Sequence, residues 1–387
     1  MNSMVVKRAV PYVILCRLYG CSFIHDFKRK SLKNAETPYI FYSFSCFVIY
    51  LFLTTLFATR FAYVIKRISD AFSRTLLLVI YGVVVVKITT NLAVMFTMRN
   101  KLLACVRKSE AFKSNTGFLF FPHSAWHSAA YIWSVGRVLA VFVGFALYFA
   151  VAEWILMVEL TSSMPPEWSD LVRVFDFFMG IGSMVYDPVL YLFLTTCTKV
   201  LEEYIHVQMK PFQEAGHVDF NIHHQFLLQI EAMRLRIFKV KQLKEYLNIV
   251  WADTIIVACA ILTADCVVLD AVFHDGIRKE LWTAVSCELY ASLCFNDLAY
   301  TGQTLIDEIR KLKTAILMLP AFGAPDSYLR QGCYLHESVD AEEIYLGGGG
   351  SFFLKKSLLP SMTGAIIIFG AILVKTSNFQ KLKIKAA

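Results

Sequence analysis

Long apolar stretches alternate with shorter polar segments along most of the chain. A hydrocarbon core about 30 Å thick is crossed by about 20 residues of helix, so each apolar stretch of that length is a candidate span. An earlier apolar stretch, Ala9–Ile24, is interrupted by Pro11 and Arg17, and there the pattern predicts a short interfacial or buried helix. The pattern predicts seven spans: Tyr39–Thr59, Thr75–Thr97, Tyr131–Val158, Leu171–Cys197, Asn248–Phe273, Leu281–Thr301 and Leu354–Thr376.

Composition also indicates an integral membrane protein. Hydrophobic residues make up 57% of the 387 positions and charged residues 18%, and the mean hydropathy is +0.54. Soluble domains are nearer half apolar and a quarter charged. Because Lys7, Arg8 and Arg17 leave too short an apolar run for a cleavable signal, we expect the first span to direct the chain to the membrane.

The basic residues predict an orientation. Most of the 38 lysines and arginines lie in the N-terminal segment and in the loops after spans two, four and six, and such residues favour the cytoplasmic side. The expected fold class is therefore an all-α polytopic membrane protein of the plasma membrane with seven transmembrane helices. Its N-terminus is cytoplasmic and its C-terminus extracellular. Two basic clusters, within 60–74 and 381–385, run against this orientation.

The segment 198–247, between spans four and five, is predicted to be an internal helical loop. Pro211 is expected to end the helix that precedes it. The following helix is expected to extend span five into the cytoplasm. It belongs either to a helical hairpin within one subunit or to an anchor between subunits. Its apolar residues recur every three or four positions, as in an amphipathic helix: Ile230, Met233, Ile237, Val240, Leu243 and Leu247.

The sequence lacks the motifs of an enzyme. It contains no H-E-x-x-H, no G-x-S-x-G and no Walker loop. The cysteines form no C-x-x-C pair that would indicate zinc, and His217, His223 and His224 fit solvated loop residues better than metal ligands. We therefore expect no catalytic residues, no metal, no cofactor and no nucleic-acid partner.

Ionisable residues inside the predicted spans carry the strongest functional signal. Each is costly against lipid, so each is expected to face the bundle interior, a watery cavity or a partner charge. The set comprises Lys87, Arg137, Glu153, Asp176, Asp187, Asp265, Asp270, Glu288 and Asp297. Two roles are open to each of them, structural pairing between helices or a place in a polar ligand pocket. Together they indicate a polar interior in at least spans three to six.

The outer halves of the spans supply candidates for a ligand pocket. Aromatic side chains mixed with carboxylates suit a small polar or amphipathic molecule. The candidate ligand-binding residues are Tyr148, Glu153, Trp154, Asp176, Asp270, Trp282 and Glu288.

The last span and the residues before it carry a recognisable pattern. Gly350-Ser351-Phe352-Phe353-Leu354 is followed by the pair Leu358-Leu359 and then by Gly364-Ala365-Ile366-Ile367. This pattern resembles the arthropod gustatory receptor family, whose last span opens with G-x-F-x-L and ends in T-Y-x5-Q-F. In this chain the T-Y positions hold Ile368-Phe369 and the Q-F positions hold Lys375-Thr376.

The resemblance implies a tetrameric, ligand-gated, non-selective cation channel opened by a small-molecule tastant. It would be built from copies of this chain or together with related receptors, surrounded by membrane lipid. Four lysines at position 375 near one axis would repel cations; alternatively, Lys375 anchors the span at the interface. By resemblance, the pore-lining residues are Ile368, Phe369, Ile372, Lys375 and Thr376.

The resulting domain organisation follows the spans. A cytoplasmic N-terminal segment with the short interfacial helix occupies 1–38, and spans one to six with the ligand-binding bundle occupy 39–303. A cytoplasmic anchor segment, broken by Pro320 and Pro325 and ending in a glycine hinge at Gly347–Gly350, occupies 304–353. The pore-lining helix occupies 354–376, and a short extracellular tail occupies 377–387.

Two other classes of membrane protein are alternatives. A G-protein-coupled receptor would have the opposite topology, and the chain lacks D-R-Y after span three and N-P-x-x-Y in span seven. A small-solute transporter would be expected to show internal repeats, and none is detected.

Overall fold

The computed structural model describes 17, 20, 23–26, 31–34, 37–66, 74, 75, 78, 82, 85, 86, 89, 90, 93, 94, 99–116, 136, 165–214, 223–275, 279–318, 326–340, 343–348, 353–362, 364, 368, 371, 372 and 375. The described residues include a two-stranded hairpin, six helices with defined bounds, further helical residues between 74 and 94, and a helical segment that begins at Leu358. The elements are β1 (Phe23–Asp26), β2 (Ser31–Asn34), α1 (Thr37–Lys66), α2 (Arg99–Thr116), α3 (Pro166–Glu214), α4 (His223–Asp275), α5 (Lys279–Leu317) and α6 (Asp326–Ser338).

The predominantly helical architecture is as predicted, but the all-α expectation missed the N-terminal hairpin. Strand β1 pairs antiparallel with β2, with Phe23 opposite Asn34 and Asp26 opposite Ser31. The predicted helix Ala9–Ile24 does not reach Ile24, because Phe23 already belongs to β1. Most of that predicted helix lies outside the described residues.

The chain just before the hairpin is fixed to α1 at Gly20. Gly20 has a φ of +88°, and a Cβ there would lie 2.6 Å from the Cβ of Cys46, so only glycine fits. The Ser43 hydroxyl donates a hydrogen bond to the Gly20 carbonyl, and the Tyr39 hydroxyl donates to the Arg17 carbonyl. These contacts hold the N-terminal segment against the first turns of α1.

Helices α3, α4 and α5 are much longer than the predicted spans that they contain. Helix α4 has 53 residues and joins the apolar stripe of 230–247 to the predicted fifth span, as expected. Helix α3 has 49 residues and continues through Pro211 to Glu214. The prediction that Pro211 ends this helix was therefore wrong by one turn, because a proline near a helix end disrupts few hydrogen bonds.

Among the described residues, no helix combines the length and the apolar composition that crossing a membrane requires.

A buried core forms where α2, α3, α4 and α5 pack together. All six residues of the predicted stripe on α4 are buried. The rings of Phe193 on α3 and Trp251 on α4 stack with centroids 5.7 Å apart. Phe112 on α2 lies with its ring centroid 4.5 Å from that of Tyr204, whose hydroxyl is 2.9 Å from Ser109 Oγ.

Helix α6 covers α4 and α5 at one end of this core. Helix α5 ends at Leu317 and α6 begins at Asp326, so both helix boundaries bracket the predicted breaks at Pro320 and Pro325. Tyr328 and Leu335 are buried on the inner face of α6. After α6 the chain returns along α4 and α5 towards the last helical segment.

Candidate functional site

Three of the seven candidate ligand-binding residues lie outside the described residues. These are Tyr148, Glu153 and Trp154. The backbone of the other four is described: Asp176 lies on α3, Asp270 on α4, and Trp282 and Glu288 on α5. Their side chains lie outside the described part of the structure. The pocket therefore stays a prediction, carried by three helices that pack against one another.

Three of the five candidate pore residues lie in the last helical segment. Ile368 and Ile372 are exposed over 62% and 55% of their surface, and Lys375 is also exposed. Positions four and three apart fall on one face of a helix. The structure thus places two large apolar side chains and a lysine on one uncovered face of this subunit. Phe369 and Thr376 lie outside the described residues.

Two described stretches lead into this helix, 343–348 and 353–356, and together we call them the lead-in segment. Gly347 pairs with Phe353 in an antiparallel bridge, and the Leu354 N–H donates to the Leu346 carbonyl at 2.8 Å. The Tyr345 and Phe353 rings are in contact at a tilt of 58°, with centroids 3.8 Å apart. Gly347 and Gly348 of the predicted glycine hinge lie in the lead-in segment, whose two stretches these contacts join, whereas Gly349 and Gly350 lie outside the described residues.

Helix α4 holds one side of the lead-in segment. The Asn248 amide donates from Nδ2 to the Tyr345 carbonyl at 3.2 Å, and its Oδ1 accepts from the Gly347 N–H at 3.4 Å. One turn away, the Lys244 ammonium lies 5.0 Å from the centroid of the Tyr345 ring. Burial lowers the pKa of Lys244, and the nearby carboxylates of Glu245 and Glu343 oppose that shift.

A second lysine of α4 anchors the start of the lead-in segment. Lys241 forms an ion pair with Glu343. The Lys241 side chain is mostly buried whereas that of Glu343 is 60% exposed, so solvent screens this pair. The ion pair therefore adds orientation more than stability.

Helix α5 holds the other side of the lead-in segment. A Cβ on Gly302 would lie 2.5 Å from the Leu354 carbonyl oxygen, so the two backbones approach as closely as glycine allows. Leu354 is fully buried there. Next to it, Gln303 Oε1 accepts from the Lys356 N–H at 3.3 Å. The Lys356 ammonium lies 4.3 Å from the centroid of the Tyr300 ring.

A cluster of charged side chains joins α3 to α5, beyond Gly302 and Gln303 along α5. His206 Nδ1 lies 3.2 Å from Glu308 Oε2, and Lys311 donates to Glu308 Oε1 at 2.5 Å. Burial alone raises the pKa of Glu308, but the hydrogen bonds and charges of Lys311 and His206 outweigh it and hold that pKa below its ordinary value. Glu202, which accepts a hydrogen bond from Thr304, has a raised pKa because it is buried and faces Glu308.

Asp297, an ionisable residue of the predicted sixth span, is paired between helices. Asp297 on α5 accepts a hydrogen bond from the Tyr191 hydroxyl on α3. Structural pairing, one of the two expected roles, is therefore the role that the structure shows for Asp297.

The described residues contain no group of three or more His, Cys, Asp or Glu side chains that could hold a metal ion. His223 and His224 are the first residues of α4, not part of the predicted turn, whereas His217 lies outside the described residues.

Asn248, Gly302 and Gln303 are the residues that sequence reasoning missed. Each lies at the edge of a predicted span, where polar and small residues are common, and their partners lie about 50 to 100 positions away in the chain. The available signal is position, since Asn248 directly follows Leu247, the last residue of the buried stripe on α4.

The chain is similar in structure to the insect olfactory receptor OR5 from Machilis hrabei. Against the structure of that receptor in complex with eugenol, the TM-score is 0.60 with 11% sequence identity, over 96% of this chain and 98% of that chain. Against a second structure of the same receptor, the TM-score is 0.60 with 12% identity, over 95% and 97% of the two chains. No protein-family model matches the chain, and no curated protein matches it in sequence. The chain therefore shares the fold of this insect olfactory receptor.

Proposed function

We propose that this chain is a gustatory-receptor-like chemoreceptor, a subunit of a tetrameric, non-selective cation channel in the plasma membrane that a small-molecule tastant opens. The likeness in fold to a receptor solved with the small molecule eugenol, over 96% of this chain, carries the proposal. The pattern of 350–367 resembles the gustatory receptor family and supports that assignment. The tetramer is made of this chain alone or of this chain with related receptors.

The proposed ligand site lies among the outer halves of α3, α4 and α5. Asp176, Asp270, Trp282 and Glu288 lie on these three helices, and Tyr148, Glu153 and Trp154 complete the proposed set. A ligand that binds one arrangement of the helices better than another shifts the population towards it. A differential affinity of a few kcal/mol is enough for gating.

The proposed pore face comprises Ile368, Phe369, Ile372, Lys375 and Thr376. Support comes from the exposure of Ile368, Ile372 and Lys375 on one face of the last helical segment in the isolated subunit. Exposed apolar residues next to a lysine suit a surface that meets identical copies around an axis.

Electrophysiology tests the proposed function. The full chain, expressed in cells alone and with a related receptor, is challenged with sucrose, quinine and eugenol under whole-cell patch clamp. We expect an inward cation current to at least one of them, and we expect Trp282→Ala with Glu288→Gln to reduce it without loss of surface expression. A chain present at the surface that conducts no current under any of these conditions contradicts the proposal.

Topology separates the proposal from a G-protein-coupled receptor. Epitope tags at the two ends are probed with antibody before and after permeabilising the cells. We expect the N-terminal tag to be stained only after permeabilisation and the C-terminal tag to be stained before it. An N-terminal tag accessible on intact cells would support the opposite topology.

A further inference from the structure

We propose that Asn248 is a positioning residue for the last helix. Together with Gly302, it fixes the lead-in segment between α4 and α5 and so sets the resting position of the helix that begins at Leu358. This inference rests on the proposed function, because it gives the last helix a mechanical connection to the helices that carry the proposed ligand site.

One amide side chain holds the backbone on both sides of Leu346. Asn248 donates to the Tyr345 carbonyl and accepts from the Gly347 N–H, at 3.2 and 3.4 Å. An asparagine amide has one donor side and one acceptor side, and here each meets the complementary backbone group. Neither an apolar residue nor a carboxylate can make both bonds.

Leu346 and Leu354 connect the two sides of the lead-in segment. The Leu354 N–H donates to the Leu346 carbonyl at 2.8 Å, and neither side chain has exposed surface. Leu354 in turn lies directly against Gly302 of α5, with no room for a Cβ between them. A continuous path of contacts therefore runs from α4 through the lead-in segment to α5.

The last helical segment begins at Leu358, only four residues after Leu354. The Leu358 N–H donates to the Lys355 carbonyl at 2.9 Å, and the Leu359 N–H donates to the Lys356 carbonyl at 3.2 Å. The Lys356 N–H is itself held by Gln303 of α5. Because the helical turns start within a few residues of Leu354, a displacement of the lead-in segment moves the first turn of the helix with it.

The same two helices reach the proposed ligand site at their other ends. At 1.5 Å per residue, Asp270 lies about 33 Å along α4 from Asn248, and Trp282 lies about 30 Å along α5 from Gly302. A change in the relative position of α4 and α5 is therefore transmitted to the segment that both of them hold.

Hydrogen exchange tests whether Asn248 holds the lead-in segment. The full chain is reconstituted in phosphatidylcholine nanodiscs as wild type, Asn248→Ala, Asn248→Asp and Ile249→Ala, the last being a half-exposed neighbour that serves as the matched control. We expect exchange across 343–354 to be about tenfold faster in Asn248→Ala and unchanged in Ile249→Ala, with 193–209 of α3 unchanged in all. Asn248→Asp keeps the acceptor and loses the donor, so we expect an intermediate rate.

A thiol-modification experiment tests whether the hydrogen bonds of Asn248 position the last helix. Ile372, which is 55% exposed, is replaced by cysteine with and without Asn248→Ala, or Asn248→Asp if the alanine variant does not fold. We expect the rate of modification by a positively charged methanethiosulfonate, corrected for the native cysteines, to change about threefold or more when Asn248 is replaced.

Two results would overturn the inference. Unchanged exchange across 343–354 would mean that Asn248 does not hold the segment, and equal modification rates at position 372 would mean that it holds the segment without positioning the helix. Neither measurement uses a ligand or a current. A chain that conducts no current would therefore contradict the proposed function, while hydrogen exchange and thiol modification would still test the role of Asn248.

Discussion

Glu202 and Glu308 face the same contact between α3 and α5, yet their surroundings move their pKa values in opposite directions. Burial raises the pKa of Glu202, and the Glu308 carboxylate adds to that effect. Burial also acts to raise the pKa of Glu308, but hydrogen bonds from Lys311 and His206 overcome it, so the pKa of Glu308 is lowered. The pKa of Lys311 is correspondingly raised by Glu308. One ionised glutamate therefore stabilises the fold, and the other destabilises it.

Glu308→Gln should destabilise the protein at neutral pH by about 1 kcal/mol. The value is small because His206 and Lys311 are more than half exposed, and solvent screens their charges. Since a lowered pKa means that the ionised form favours the folded state, this stability is complete above the ordinary pKa of a glutamate and is lost as pH falls through the lowered value. Thermal unfolding of the solubilised chain between pH 3 and pH 8 measures it, at values about one pH unit apart.

The Glu308→Gln variant should show a weaker loss of stability between neutral and acidic pH than the wild type. Glu337→Gln, an exposed glutamate on α6, is the matched control and should leave the wild-type pH profile in place. Identical profiles for Glu308→Gln and the wild type would contradict the role assigned to the Glu308 carboxylate.

Glu202→Gln should leave stability at neutral pH unchanged or raise it by up to about 1 kcal/mol. A raised pKa means that ionisation costs the folded state more than the unfolded state, so the penalty appears as pH rises through the ordinary pKa of the carboxyl group. The glutamine keeps an acceptor for Thr304 and removes the repulsion with Glu308. The same thermal unfolding series checks this sign, and a clear loss of stability at pH 7 would show it to be wrong.

The residues that hold the lead-in segment mark the limit of what sequence alone predicts. The ionisable residues in spans could be singled out because charge in an apolar run is costly whatever its partner. Asn248 and Gly302 carry no such signal, because their importance comes from Gly347 and Leu354, about 100 and 50 positions away. A contact of that range is set by how helices pack, which local pattern does not encode.

At the scale of elements, periodicity predicted the helices better than their ends. The stripe on α4 was identified from residues such as Ile230 and Leu247, because positions three and four apart share one helical face. The predicted helix end at Pro211 was wrong because tertiary packing of α3 outweighs one lost hydrogen bond near the helix end. The hairpin of β1 and β2 was missed because its strands are four residues each and too short for a clear alternating pattern.

Two glycine-to-alanine variants should affect stability in opposite directions. Gly302→Ala places a Cβ 2.5 Å from the Leu354 carbonyl oxygen, so the lead-in segment must shift away from α5, at a cost of about 1–3 kcal/mol. Gly332→Ala on α6 meets nothing within 4 Å and should stabilise its helix by about 0.5–1 kcal/mol. The apparent melting temperature should fall for the first variant and rise for the second. A higher melting temperature for both variants would mean that the lead-in segment can move away from α5 without loss of stability.

At the scale of the whole molecule, this chain and the olfactory receptor of Machilis hrabei share a fold although their sequences are very different. An identity of 11% accompanies a TM-score of 0.60 over nearly the full length of both chains. What two such sequences can share is the order of apolar and polar segments and the faces that the helices bury, which many different residues satisfy. Apolar patterning places no such constraint on the residues of the proposed ligand site, so the fold could be expected from the pattern and the ligand could not.

Lys375 is the charge that the proposed pore face carries where the gustatory receptor family has glutamine. Four lysines around one axis repel cations, so Lys375→Gln should raise cation current through the assembled channel, by about twofold or more. Single-channel recording in sodium and potassium solutions measures conductance and selectivity directly. Arg330→Gln, which replaces an exposed basic residue on α6, is the matched control and should leave conductance as it is. If Lys375→Gln conducts and selects as the wild type does, the lysine lies off the permeation path and anchors the span at the membrane interface instead.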